Sequence, residues 1–72
     1  MRLQGTYREY ESKRVDELKV GDVIAWNYGY TSQVVELIPS KTGKTFTVML
    51  RSTHDGVVRD RKMGAARLVA MA

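Results

Sequence analysis

The 72-residue chain has no cysteine and only one proline, one histidine and one tryptophan. The absence of cysteine excludes a disulfide-stapled secreted scaffold. It also excludes the thiolate zinc sites of finger domains, since His54 is the only soft ligand left. This composition suits a reducing compartment, and the expected location is the cytoplasm, with no metal and no cofactor. The opening stretch MRLQGTYREYESKR holds no apolar segment of the signal-peptide kind. No stretch approaches the roughly 20 apolar residues of a membrane-spanning helix, so no membrane partner is expected. The length allows one domain, and a chain of this size buries only about 60% of the surface that its unfolded form exposes.

Acidic residues are scarce in the C-terminal part. Residues 1–40 carry five Lys or Arg against six Asp or Glu, whereas residues 41–72 carry seven against two. The net charge of +4 therefore lies wholly in the second half. A lopsided basic half points to a polyanionic partner.

Helical periodicity is also missing. From Val20 onward the apolar residues alternate or run in short blocks, which is the pattern of strands. The blocks are Val23–Trp26, Val34–Ile38, Phe46–Leu50, Val57–Arg59 and Leu68–Met71. Turn-forming residues separate them: Gly21-Asp22, Asn27–Ser32, Pro39–Lys44, Thr53–Gly56 and Gly64–Ala66. The last link is read as one 3₁₀ turn. Five short strands predict a small five-stranded antiparallel barrel over residues 15–72, because curling so small a sheet buries its apolar face and hides its edges. Residues 1–14 are expected to be a partly ordered extension. The expected core is Val15, Leu18, Val23, Ile24, Trp26, Val35, Leu37, Phe46, Val48, Leu50, Val58, Met63, Leu68 and Val69.

Val15–Ile24, with its Leu18, Gly21-Asp22 and following apolar pair, resembles the opening of SH3-like small barrels, including KOW-type domains. The later order of hairpins, short helical turn and last strand is similar too. The Gly21–Ile24 opening, the SKTGKTFTV hairpin and the RKMGAARLV ending also resemble small uncharacterised barrel proteins of actinobacterial bacteriophages. That resemblance implies an SH3-like fold and a bacterial host cytoplasm, and it implies no mechanism.

Gly43-Lys44-Thr45 ends like a phosphate-binding P-loop. The first glycine of that motif would fall at Ile38, and the lysine should open a helix, whereas Thr45–Leu50 alternates like a strand. SKTGKT is therefore expected to be a hairpin loop, and no nucleotide site is expected. His54 sits in a tight turn with no converging nucleophile or carboxylate, so the chain is read as a non-enzyme.

Two binding readings remain. In the first, the domain binds DNA or RNA: Lys41, Lys44, Arg51, Arg59, Arg61 and Lys62 meet phosphates while Tyr28 and Tyr30 stack on bases. Pairing across Asp55-Gly56 is expected to set Arg51 opposite Arg59. In the second, Trp26, Tyr28 and Tyr30 form an aromatic patch for a protein partner, such as a host protein. One continuous positive face holding Lys44, Arg51, Arg59 and Arg61 would favour the first reading. Dispersed charges, with Trp26 and both tyrosines exposed together, would favour the second. A homodimer through an edge strand is a further option, and the sequence does not indicate the oligomeric state.

Overall fold

Each alternating block becomes a strand. A computed structural model describes residues 1–72 as six strands: β1 (Glu11–Arg14), β2 (Val23–Ala25), β3 (Thr31–Pro39), β4 (Thr45–Ser52), β5 (Val58–Gly64) and β6 (Leu68–Met71). Val15–Glu17 forms a 3₁₀ turn between β1 and β2. The strands pair antiparallel in one sheet of order β1-β6-β2-β3-β4-β5. The sheet keeps two free edges, β1 and β5, and does not close into a barrel. No helix is long and apolar enough to cross a membrane.

The fold departs from the expected five-stranded barrel in three places: the sheet stays open, a sixth strand is added, and the link before the last strand differs. The extra strand, β1, reads ESKR and carries no apolar alternation. It joins the sheet by main-chain pairing to β6, with Glu11 opposite Met71 and Arg14 opposite Leu68. The link before β6 is a plain turn at Ala65-Ala66, not a 3₁₀ turn. The Ala65 and Arg67 carbonyls accept the N–H groups of Asp16 and Val15, which fastens that turn to the segment after β1.

The core is one cluster of Val15, Leu18, Ile24, Val34, Val48, Leu50, Met63 and Val69, with Trp26, Leu37, Phe46 and Met71 packed around it. Phe46, Val48 and Leu50 share a face as their alternation requires. β3 breaks its alternation. Val34 pairs with Leu50 and Glu36 with Met49, which leaves Val35 as a bulge. The extra residue lets Val34 and Leu37, three positions apart, both face the core. Val34 is fully buried and Val35 only half, the reverse of the expected order. Val58 and Leu68, also expected inside, are 43% and 52% exposed. Val58 sits on the outer face of an edge strand and Leu68 at the start of β6.

The reverse face of β2 and β6 is covered by the N-terminal segment. Tyr10 is buried against Ala25 and Ala70, with Leu3 beside them, whereas Tyr7 is fully exposed. Two alanines suit this layer, because a tyrosine ring lying close to the sheet needs short side chains beneath it.

The turn into β2 gives the Gly21-Asp22 phrase a physical meaning. Gly21 takes φ 100, a conformation open to glycine at little cost. Asp22 Oδ2 accepts the Lys19 N–H at 2.9 Å and the Lys13 ammonium at 3.1 Å. The turn is thereby closed on itself and tied to β1.

Candidate nucleic-acid interface

β5 carries the densest basic run in the chain, and its register decides which charges converge. Ser52 N–H donates to the Val57 carbonyl, and Gly56 takes φ 72 at the end of a four-residue loop, Thr53–Gly56. This phase sets Leu50 opposite Arg59, Val48 opposite Arg61 and Phe46 opposite Met63. Residues opposite one another share a face. Arg59 and Arg61 therefore lie on the same face as the core residues Leu50, Val48 and Met63.

Arg51 pairs with Val58 and with Gln33, on the other face of the sheet. The expected juxtaposition of Arg51 and Arg59 is corrected by this register, since the four-residue loop shifts the pairing by one residue. Lys62, opposite Thr47, shares the Arg51 face, as does Asp60, opposite Met49. Lys41 and Lys44 lie on the hairpin loop after β3, where Gly43 takes φ 72 and Thr45 begins β4 directly. Tyr30 precedes the other end of β3. At about 3.3 Å per residue, the two lysines stand roughly 30 Å along the strand from Tyr30. Lys44, Arg51, Arg59 and Arg61 thus form no single continuous face.

Another grouping forms instead. Trp26 follows β2 on its inward parity and packs on the core, half-buried. Its indole N–H donates to Ser32 Oγ at 3.0 Å, which fixes the ring plane. The Arg61 guanidinium lies over that ring, 4.8 Å from its centroid, within the range of a cation–π contact. Two open pockets flank the pair. One, of about 510 Å³, is lined by Trp26, Tyr30, Ser32, Leu50, Arg59 and Arg61 among others. The second, of about 440 Å³, occupies the gap where β6 parts from β2, and Arg2 and Arg67 join Trp26 and Arg61 in its wall. Trp26 and Arg61 stand in both linings.

Arginines outnumber acids around this groove, although Asp60 also contributes to the wall of the larger pocket. No carboxylate lies within 4.0 Å of Arg61 or Arg67. Arg59 meets Asp55 at 3.9 Å, with both side chains largely in solvent, so the pair holds it only loosely. The Val57 N–H holds the Asp55 carboxyl below its usual range; burial opposes it, and Ser52, Arg59 and His54 add weaker lowering effects. Arg2 is engaged by Glu9 at 3.2 Å.

The two tyrosines part company. Tyr30 is 61% exposed and lines the groove. Tyr28 sits at φ 65, and its N–H donates to the Gln4 carbonyl at 2.6 Å. Its ring crowds Gly5 so closely that a Cβ there would overlap Tyr28 Cδ1. Tyr28 is as exposed as Tyr30, at 63%, but packs on the N-terminal segment and lines neither pocket. Both tyrosines are exposed, whereas Trp26 is half-buried against the core, so the three are not all exposed together.

Of the residues expected at a nucleic-acid site, the structure gathers Tyr30, Arg59 and Arg61. It leaves Tyr28, Lys41, Lys44, Arg51 and Lys62 elsewhere. Trp26, Arg67 and Arg2 join the groove without having been expected there. Arg67 could be sought in the basic C-terminal half, but nothing local marks Arg2, which arrives by long-range folding of the N-terminus. The chain matches no family model and no curated protein.

Proposed function

We propose that this protein is a small non-catalytic domain that binds nucleic acid, DNA or RNA, in the groove of Trp26, Tyr30, Arg59 and Arg61. The observation that carries the reading is the Arg61 guanidinium stacked on Trp26 between two pockets, with no carboxylate within 4.0 Å of it. A cation beside an open aromatic ring suits a phosphate followed by a base. Its cationic contacts are arginines, so affinity comes mostly from charge and falls steeply with salt. Fluorescence anisotropy with labelled DNA and RNA at low salt tests it. Binding that weakens in Arg59→Ala and Arg61→Ala supports the reading, and no binding to any nucleic acid defeats it.

The architecture fits an opened variant of the SH3-like barrel. In support, β3, β4 and β5 form consecutive hairpins, and a short turn returns β6 to lie between β1 and β2. With that fold goes the resemblance to bacteriophage barrel proteins, and with it a bacterial host cytoplasm as the setting.

A second reading, a module for a host protein, draws on the open edge of β5. Val57 O and Ala65 N–H both bond to β4-side partners, so the main chain of Val58, Asp60 and Lys62 points away from the sheet. Val57 and Val58, each 43% exposed, adjoin that edge. The charged run Arg59–Lys62 disfavours an added strand, and the nucleic-acid reading is preferred. A partner captured from host lysate after nuclease treatment would reverse that preference.

A further inference from the structure

We infer that the groove selects unpaired bases by an exchange at Trp26, in which a base takes the ring face that Arg61 covers and the guanidinium moves onto the adjoining phosphate. This rests on the nucleic-acid reading above and specifies which chemical form of nucleic acid the groove takes.

The exchange follows from what each partner holds at rest. Arg61 has the Trp26 ring as its cation–π partner and no carboxylate within 4.0 Å. A phosphate offers it full charge and paired hydrogen bonds, which a ring cannot. Trp26 loses a cation and gains a base, a stacking partner of greater area. The ring itself does not need to move, because its indole N–H is held by Ser32 and its inner side packs on the core. Trp26 is half-buried at the junction of both pockets. A base inside a duplex has both faces covered by its neighbours, so only an unstacked base can lie on this ring.

The second pocket extends the footprint. Arg67 stands there without a carboxylate within 4.0 Å, while Arg2 is already engaged by Glu9. Arg67 is therefore the second phosphate contact, on the other side of Trp26 from Arg59. Pockets of about 510 and 440 Å³ fall within the size range of small-ligand sites. The strand thus runs from Arg59 and Tyr30, across Trp26, to Arg67.

Trp26 is the only tryptophan, so its emission reports the exchange in the unaltered protein. The probes are a single-stranded oligo-dT of about ten nucleotides, an abasic oligomer of equal length and a blunt duplex. The expected result is quenching of Trp26 emission by oligo-dT alone, with the abasic oligomer and the duplex bound more weakly. Arg61→Ala and Arg67→Ala are each expected to lower the salt slope of oligo-dT binding by about one. Trp26→Leu is expected to lower oligo-dT affinity about 5- to 150-fold, and the emission measurement stands whether or not that variant folds. Oligo-dT binding with unchanged Trp26 emission, or equal affinity for the abasic oligomer, overturns the exchange and leaves the nucleic-acid reading in place. No binding of any probe at low salt overturns both.

Discussion

The Lys13 ammonium lies 3.1 Å from Asp22 Oδ2, and both side chains are less than one-third exposed. The same oxygen accepts the Lys19 N–H, so one carboxylate closes the turn into β2 and ties it to edge strand β1. Asp22→Ala removes two charge-assisted hydrogen bonds and should cost about 2 kcal/mol, or roughly 10 °C in Tm for a domain this small. Asp22→Asn keeps an acceptor for the Lys19 N–H and should cost about half as much. Thermal unfolding of the two variants would contradict this account if both matched the parent.

Acid should weaken the same link. The Lys19 N–H is the main cause that holds the Asp22 carboxyl below its ordinary range, with Lys13 adding to it and burial opposing. The unfolded chain takes up this proton near pH 4, and the folded chain does so only at lower pH. Between those values the unfolded state binds more protons, so stability rises with pH. The contribution is complete above about pH 4 and fades as pH falls through the folded value. Urea midpoints measured across pH 3 to 7 should fall less on acidification in Asp22→Asn than in the parent. Parallel curves would remove Asp22 from the account.

The β3 bulge can be tested by a pair of neighbours. Val34→Ala empties a fully buried site and should cost about 2 kcal/mol. Val35→Ala, at the half-buried bulge position, should cost clearly less. Regular alternation from Val35 to Leu37 would reverse that order, so urea denaturation of the two variants separates the registers.

The division of arginines between faces has its own signature. Arg59→Ala and Arg61→Ala should each weaken oligo-dT binding and lower the salt slope by about one. Arg51→Ala and Lys62→Ala, on the opposite face, should change both much less. Equal losses at all four positions would argue for a diffuse basic surface and against a groove.

Much of the fold was legible in the chain. The positions of β2 through β6 are marked by short apolar blocks, with clean alternation in β4, and the turns follow from Gly21-Asp22, Gly43 and Asp55-Gly56, because these are local preferences of a few residues. β1 was not legible. ESKR is held by main-chain pairing, which leaves no trace in side-chain pattern.

The candidate site was half legible, since Tyr30, Arg59 and Arg61 are marked by type and spacing. Whether Arg51 joins them depends on the length of the Thr53–Gly56 loop, because one residue of register moves a side chain to the opposite face. The Val35 bulge resets face parity in the same way on β3. Arg2 and Arg67 reach Trp26 only through distant contacts, which no local pattern encodes. The sequence by itself determined a strand-rich chain with a basic second half. Tertiary structure alone decided which charges meet an aromatic ring, because strand register and long-range closure set the direction of each side chain.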